Sequence, residues 1–436
     1  MLPFPCGLAR PVRPDDGSAR GFGAGKERVT QASTEAIAST TRRDLKAMGL
    51  IGLAHGCSHF FQLVLPPLFP FLIAEFGVGY TELGVMMTAF FVSSGLGQPL
   101  SGFLVDRFGA RRVLMMGLGL YCAGVLLFAV LPSFWLFLPA VVLAGLGNSV
   151  FHPADFTILN ATVTPARLGR AFGIHTFGGN LGWAAAPVPM VTLASLYGWR
   201  MAVVAAFLAG AFVLALIVSQ RRDLRDRPRD AGGAAAAAPD GGGLAPLIST
   251  PVVLCFVYFL LLALALIAVQ NFLPVTLGAL YATPLTLANK ALTGFLLGAS
   301  GGVLVGGLLA DRSGRHAPII AGGLAAAALV FVVLGGVDMP AALLVGAVAT
   351  AGFLSGVTTP SRDMLVRAAS PPEATGRVFG FVYSGLDAGS ALAPAIVGLM
   401  LDRGHPAWVL WLVAGMLFAA IFTAVSIRGS APPRAP

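Results

Sequence analysis

Twelve long apolar segments constrain the fold of this chain more than any other feature of its sequence. A helix needs about 20 apolar residues to cross the hydrocarbon core of a bilayer, at roughly 1.5 Å per residue. Segments of about that length lie near 48–74, 80–105, 112–131, 134–162, 169–194, 199–220, 250–279, 286–310, 317–336, 340–368, 375–401 and 405–427. The sequence therefore predicts an all-α polytopic membrane protein with about twelve transmembrane helices.

Composition and charge agree with that prediction. Hydrophobic residues make up 56% of the 436 residues and charged residues only 11%, whereas roughly a quarter of the residues in soluble domains are charged. The net charge of +9 comes from basic residues scattered in short gaps between the apolar segments. No nucleic-acid partner is expected, because those gaps are too short for a surface that follows a phosphate backbone.

The positions of the basic residues predict an orientation. With a cytoplasmic N-terminus, twenty-five of the 28 Lys and Arg residues lie in the tails, in the even-numbered loops or at the inner end of span ten. Because basic loops are retained in the cytoplasm, both termini are expected to lie inside a bacterial inner membrane.

A basic, Ala- and Gly-rich stretch in the middle of the chain divides it into two halves. The predicted organisation is a disordered cytoplasmic tail (1–46), a six-helix bundle (47–220), a cytoplasmic linker (221–247), a second six-helix bundle (248–428) and a short cytoplasmic tail (429–436). None of the four cysteines forms a CxxC pair, so neither a metal site nor a disulfide framework is expected.

The two halves are an internal repeat. GFLVDRFGARR follows span two and GLLADRSGRH follows span eight, 205 residues later. Pro153 in span four matches Pro360 in span ten, 207 residues later. Spans five and eleven share a Gly, Gly, Ala-Pro pattern at the same offset, with its glycines and prolines at Gly173, Gly182, Pro187 and Gly380, Gly389, Pro394. One nearly constant offset predicts a parallel duplication with a pseudo-two-fold axis along the membrane normal.

The repeated loops are candidate gating elements. The Asp106 carboxylate lies where it can satisfy nearby arginines or the positive N-terminus of a neighbouring helix. The alternative is a basic loop with only a topological role. The candidate gating residues are Gly102, Asp106, Arg107, Gly109, Arg111 and Arg112 in the first loop, and Gly307, Asp311, Arg312, Gly314 and Arg315 in the second.

Polar groups inside the first-half spans are functional candidates, because each is costly in the bilayer. His55, Asp155 and His175 each lie about 10–12 Å from the expected cytoplasmic end of their span, at roughly 1.5 Å per residue. They can therefore meet at one level. The proton-coupling candidates in this half are Asp155, His55, His152 and His175, because histidine titrates near physiological pH. The alternative is a static polar core that holds the helices together.

A different set of polar residues lies in the second half. Asp387, in the middle of span eleven, is a further proton-coupling candidate. Arg362 can hold an anionic substrate or form an internal ion pair with Asp363. The candidate substrate-binding residues of the whole chain are His59, Gln62, Gln270, Asn271, Arg362 and Asp363.

The duplicated Gly-Asp-Arg-Gly-Arg loops, the six-plus-six layout and the central linker resemble the major facilitator superfamily over residues 47–428. The resemblance implies two pseudo-symmetric six-helix bundles and a central cavity lined by spans one, four, seven and ten. It also implies that the first loop latches the halves in an outward-open state and breaks when the protein opens inward.

Two local motifs extend the resemblance. Span five is similar to the antiporter signature of the family, with Ala186 in place of the last glycine. GNSVFHPADF and GGNLGWAAAP are similar to the fosmidomycin-resistance branch of drug exporters.

The resemblance implies transport of a small molecule driven by an ion gradient, and no GxxxxGKS or GxxxxGKT motif indicates an ATPase. Proton-coupled efflux is favoured over proton symport of an organic anion, and a non-transporting sensor or enzyme is the remote alternative. The expected partners are a small-molecule substrate, protons and the lipid bilayer, for a monomer without a cofactor or a metal.

Overall fold

The computed structural model describes residues 19–226, 247–313, 316–369 and 375–430, and this part of the chain contains helices and no β-strand. Its α-helices are α1 Ala19–Gln62, α2 Phe69–Phe76, α3 Tyr80–Phe108, α4 Ala110–Val130, α5 Phe137–Asn148, α6 Phe151–Thr162, α7 Leu168–Ala185, α8 Pro187–Tyr197, α9 Trp199–Ser219, α10 Thr250–Tyr281, α11 Leu285–Ser313, α12 His316–Gly336, α13 Ala341–Ala369, α14 Thr375–Asp402 and α15 Pro406–Ser430.

These helices form twelve crossings. Eleven spans within the described residues are long and apolar enough to cross a membrane. The twelfth crossing is the pair α7–α8, which is interrupted at Ala186 because Pro187 lacks the backbone N–H that would continue the helix. With an even number of crossings, the start of the first span and the end of the last span lie on one side, which we call the terminal face. The other side, which includes residues 77–79 and 131–133, is the distal face.

Helix α1 begins earlier than the sequence analysis places the first bundle. It starts at Ala19 rather than near residue 47. Asp44 is buried and accepts hydrogen bonds from Thr164 Oγ1 (2.7 Å) and Arg167 Nη1 (3.0 Å). These contacts tie α1 to the 3₁₀ turn that follows α6, so Asp44, which the predicted organisation assigns to the N-terminal tail, packs as part of the bundle. Residues 1–18 of the predicted tail lie outside the described residues.

The predicted central linker begins on the surface of the first half. Arg221–Asp223 forms a 3₁₀ turn, and Lys46 Nζ lies 2.7 Å from Asp223 Oδ2. Asp226 is bound to Arg111 on α4. Residues 227–246 lie outside the part of the chain that the structure describes, as do residues 431–436 of the predicted C-terminal tail.

Glycines position the helix pairs that support the candidate site. In the first half, Gly178 and Gly182 of α7 pack against the backbone carbonyls of Gly52 and Gly56 on α1. In the second half, Gly385 and Gly389 of α14 pack against the carbonyls of Phe256 and Leu260 on α10. Each α14 glycine lies 207 residues after its α7 counterpart, so the repeat seen in the sequence is a repeat of helix contacts.

The two halves meet along α3 and α14 on the distal side. Asp402 Oδ1 accepts a hydrogen bond from the Tyr80 N–H (2.8 Å), and Asp402 Oδ2 accepts one from the Thr81 N–H (2.7 Å). Deeper in the bundle, Thr88 Oγ1 donates to the Ala391 carbonyl (2.7 Å). We call this set of contacts the distal clasp. A ring contact between Phe69 and Phe272, with centroids 5.5 Å apart, also joins the halves.

Candidate functional site

Four histidines surround Asp155 in the core of the first half. His175 Nε2 lies 3.0 Å from Asp155 Oδ2, and His55 Nδ1 lies 3.6 Å from the same oxygen. The His55 and His175 rings are stacked, with centroids 3.7 Å apart. His59 and His152 approach His55 with centroid distances of 4.3 and 5.1 Å. We call these five residues the histidine–aspartate cluster.

Helix geometry brings the cluster together. His55 and His59 are four residues apart on α1, and His152 and Asp155 are three apart on α6, so each pair shares a helix face. His175 comes from α7, whose glycine contacts with α1 let the two backbones approach closely. Gly179 faces the cluster, and a Cβ at that position would lie 2.7 Å from His59 Nδ1 and 2.8 Å from His55 Cδ2.

Most of the cluster is buried, but one side is exposed. Asp155 is 0% exposed, and His55 and His175 are each 3% exposed. His152 is exposed, and Phe156 on the same helix is 41% exposed. His152 therefore connects a buried carboxylate to the surface.

No arginine or lysine pairs with Asp155 among the described residues, and its Oδ1 atom has no hydrogen-bond partner there. An ionised carboxylate is very costly to bury without a compensating charge. A proton held by Asp155 or by a neighbouring imidazole is the smallest group that can balance it. The arrangement is chemically suited to binding and releasing a proton.

Three of the histidines are the candidates for holding a metal ion. The ligating nitrogens of His55, His152 and His175 lie within 4.8 Å of one another. Tetrahedral zinc, with bonds of about 2.0–2.1 Å, needs nitrogens roughly 3.4 Å apart. In this structure a hydrogen bond to Asp155 already occupies His175 Nε2. This geometry is that of a hydrogen-bonded cluster rather than a preformed metal site.

A chain of hydrogen bonds leads from the cluster across four helices. Trp183 stacks on His59 (centroids 4.0 Å apart) and donates from Nε1 to Gln62 Oε1 (2.9 Å). Gln62 Nε2 donates to Asn148 Oδ1 (3.2 Å), and Asn148 Nδ2 donates to Ser94 Oγ (2.8 Å). Gln62, a candidate for substrate binding, uses both ends of its amide to connect helices in this structure.

Trp183, Asn148 and Ser94 were not among the candidates predicted from the sequence. Asn148 and Trp183 lie within the two motifs GNSVFHPADF and GGNLGWAAAP. Those motifs were the one feature of the sequence that could have pointed to them as site residues. Their hydrogen bonds join residues 54 to 121 positions apart, and no local pattern encodes such pairings.

A second polar cluster surrounds Arg362 in the other half. Arg362 Nε donates to Asp363 Oδ1 (2.9 Å), and Tyr383 Oη lies 3.3 Å from the same oxygen. The guanidinium carbon lies 4.7 Å from the centroid of the Phe259 ring. The Arg362 side chain is 16% exposed, whereas that of Asp363 is 40% exposed. Phe259 and Tyr383 are further site residues that the sequence analysis missed.

The other second-half candidates lie apart from the residues of both clusters. Gln270 and Asn271 are buried on α10, and their side-chain amide nitrogens have no hydrogen-bond partner in the described residues. Asp387 is partly exposed and packs against Gly95 of α3, at the interface between the halves. No ion pair involves Asp387 among the described residues.

The first candidate gating loop is not closed around Asp106. Asp106 is exposed, and no ion pair or hydrogen bond of its side chain is found in the described part of the chain. Arg111 instead donates to Asp226, from its backbone N (2.8 Å) and from Nε (2.7 Å). Gly109 adopts a φ of 89° in the tight turn between α3 and α4, a conformation that favours glycine.

The remaining loop candidates are exposed or lie outside the described residues. Arg107 and Arg112 are exposed, and the Arg107 guanidinium lies over the ring of Phe108. In the second loop Gly307 and Arg312 lie at the end of α11, and Arg312 is exposed. Gly314, Arg315 and the side chain of Asp311 are outside the described residues.

The signature glycines fall into two groups. Gly182 and Gly389 make close helix contacts, whereas a Cβ at Gly173 or Gly380 would meet no atom within 4 Å. Pro187 begins α8, and Pro394 lies within α14, where its carbonyl contacts Gly84 of α3.

Comparison with known families gives one match that covers most of the chain. The profile of the Major Facilitator Superfamily matches residues 51–288 and 273–436. The fosmidomycin resistance protein of Escherichia coli (strain K12) is 27% identical over 287 residues, which cover 64% of this chain and 69% of that protein. The membrane sensor protein UhpC of the same organism is 27% identical over 383 residues, covering 81% of this chain and 85% of that protein.

The fold also matches solved transporter structures. The crystal structure of a bacterial homolog of the human lysosomal transporter Spinster, in an inward-facing and occupied conformation, superposes with a TM-score of 0.66. The match covers 88% of this chain and 95% of that chain, at 13% sequence identity. This likeness establishes the fold.

Proposed function

Because this chain belongs to the Major Facilitator Superfamily and is related to its fosmidomycin-resistance branch, we propose that it is a proton-coupled transporter that exports a small organic compound by antiport. The observation that carries this proposal is the histidine–aspartate cluster. Its carboxylate is buried among imidazoles and has no arginine or lysine partner among the described residues, and a family of transporters, not enzymes, provides the context.

Proton exchange at Asp155 supplies the coupling. With Asp155 charged and the imidazoles neutral, the first half carries an uncompensated buried charge, and uptake of one proton removes it. The exposed His152 gives the cluster its contact with the protein surface. Binding of a substrate near the cluster and binding of a proton to Asp155 then exclude each other. Antiport requires this mutual exclusion.

Orientation and conformation are compatible with the proposed export. The loops at the terminal face carry most of the basic residues, so we place this face in the cytoplasm and the protein in a bacterial inner membrane. The closed distal clasp and the exposed Asp106 support an inward-facing state, in which substrate is taken up from the cytoplasm.

A second candidate function is proton-coupled uptake of a small organic anion. Arg362 supports it, because its planar guanidinium lies over Phe259 and its carboxylate partner is far more exposed than the arginine itself. An anion that displaces Asp363 would gain a partly desolvated cation. The related UhpC is described as a membrane sensor, so binding without transport is the remote third possibility.

Compound retention in cells separates these functions. Cells that express the wild-type chain are loaded with each of a panel of compounds, starting with fosmidomycin, and retention is measured with and without a protonophore. Export predicts more retained compound after the gradient collapses, and uptake predicts less. Asp155→Asn abolishes the effect in either case, whereas Asp338→Asn, a change of an exposed carboxylate, preserves it. Equal gradient dependence in wild type and Asp155→Asn would refute the proposed role of Asp155.

A further inference from the structure

Asp402 lies outside the histidine–aspartate cluster and joins the two halves of the molecule at the distal face. It is the last residue of α14, and its two carboxylate oxygens accept hydrogen bonds from the first two N–H groups of α3, at 2.8 and 2.7 Å. The partners lie 322 and 321 residues away in the sequence and in the other half of the molecule.

The N-terminus of α3 is the part of that helix that benefits most from an anion. The first N–H groups of a helix have no intrahelical acceptor, and the helix dipole adds a partial positive charge there. The Gly79 N–H already has an acceptor from its own half of the molecule, because Glu82 Oε2 lies 2.9 Å away. Tyr80 and Thr81 depend on the other half for theirs.

The distal clasp continues from Asp402 along α3 and α14 towards the middle of both helices. Gly398 packs against the Tyr80 carbonyl, and Gly84 packs against the Pro394 carbonyl, so the two helices touch without intervening side chains. Further along the same pair of helices, Gly95 meets Asp387. The distal face cannot open along this seam without separating α3 from α14 and leaving the α3 N–H groups without the Asp402 carboxylate.

This arrangement lacks a counterpart in the internal repeat. At the 207-residue offset Ser195 stands in place of Asp402. The equivalent position in the first half therefore has no carboxylate that could cap a helix of the second half. Asp106, near the other end of α3, is exposed in the same state. The two ends of α3 therefore differ, with an engaged carboxylate at the distal end and a free one at the terminal end.

We propose that Asp402 is a positioning residue that holds the distal face closed by capping α3 across the two halves, and that it releases α3 when this face opens. The proposal rests on the proposed function in one respect, namely that a transporter of this kind opens alternately at its terminal and distal faces. Loss of a helix cap costs about 1 kcal/mol, which corresponds to a roughly fivefold change in an equilibrium. Asp402→Ala should shift the balance between closed and open distal faces by about that factor.

Distances between spin labels on the distal loops test this inference. Labels are attached at Ser133→Cys in the first half and Asp338→Cys in the second, in a protein whose four native cysteines are replaced by serine. Both sites are exposed. Double electron–electron resonance then gives the ratio of long to short distances, without substrate and at one pH.

Asp402→Ala is expected to raise the ratio of long to short distances about fivefold. The matched control is Glu82→Ala, which removes a cap from the same helix end but from within the first half, and it should change the ratio less than about twofold. Asp402→Glu should restore a ratio close to that of the wild type. If Asp402→Ala does not fold, Asp402→Asn is measured instead and should shift the ratio in the same direction.

An unchanged ratio in the folded Asp402 variants, or an equal shift in Glu82→Ala, would overturn the proposal. The measurement involves neither substrate nor a proton gradient. Failure of proton coupling at Asp155 would therefore leave its outcome unaffected, and the two ideas fail separately.

Discussion

Asp155 and Arg362 occupy equivalent positions in the two halves but carry opposite charges, since 207 residues separate them. Asp155 is surrounded by imidazoles, whereas Arg362 is surrounded by Phe259, Asp363 and Tyr383. In our proposal, the duplicated scaffold presents a proton-binding group from one half and an anion-binding group from the other. In our account this divergence is the chemical basis of coupling.

The close contact between Gly179 and two histidine rings predicts a large effect of a small change. Gly179→Ala places a methyl group against His55 and His59, and overpacking of this kind costs about 1–3 kcal/mol. The thermal unfolding midpoint of the purified protein should fall. Gly173→Ala on the same helix is the control, because its methyl group meets no atom within 4 Å. Equal midpoints for the two variants would contradict the observed packing.

The link from Trp183 to Gln62 predicts a separable effect. Trp183→Phe keeps an aromatic ring next to His59 but removes the Nε1–H that binds Gln62 Oε1. A partly buried acceptor is left without its donor, at a cost of about 1–3 kcal/mol. The unfolding midpoint should fall, whereas Trp408→Phe, at an exposed tryptophan, should leave it unchanged. A stable Trp183→Phe variant would show that the hydrogen bond contributes little.

Some residues of the site could be identified from the sequence and others could not. The depth of His55, Asp155 and His175 along their spans places them at one level, and the structure brings them together. The partner of Arg111 could not be identified. Asp226, 115 residues away, binds it, whereas the local pattern pointed to Asp106.

At the scale of elements, the pairs α1–α7 and α10–α14 are the repeated supports of the two clusters. Each pair depends on glycines that pack against a carbonyl of the partner helix. The break between α7 and α8 follows from Pro187, which is visible in the sequence. The packing of Asp44 and of the start of the linker against the first half was not predictable, because it depends on ion pairs with distant residues, such as Asp44 with Arg167 and Lys46 with Asp223.

The signature glycines should divide into two groups when each is changed to alanine. Gly182→Ala and Gly389→Ala push a methyl group into a backbone carbonyl of α1 or α10, so both variants should lose stability. Gly380→Ala, which meets open space, should be neutral or stabilising, since alanine favours helix by up to about 1 kcal/mol. Unfolding midpoints measure all three. Similar losses for all three would indicate that helix contacts do not explain the signature.

At the scale of the whole molecule, the distal face is closed by the clasp, and the Asp106 side chain has no partner among the described residues. Asp106→Asn should therefore leave the stability of this state unchanged, because no described contact is lost. It should slow turnover if Asp106 acts only in the opposite state, as the family resemblance implies. Transport rate and ligand affinity, measured together, check this prediction. Unchanged turnover would show that the loop has no gating role.

The central claim is that Asp155 couples substrate movement to protons. The most direct test reconstitutes wild type and Asp155→Asn in proteoliposomes with a transported compound. Two rates are measured, exchange of labelled for unlabelled compound without a gradient and transport driven by an imposed pH gradient. The account predicts that Asp155→Asn retains exchange but loses gradient-driven transport. Gradient-driven transport by Asp155→Asn at the wild-type rate would contradict it.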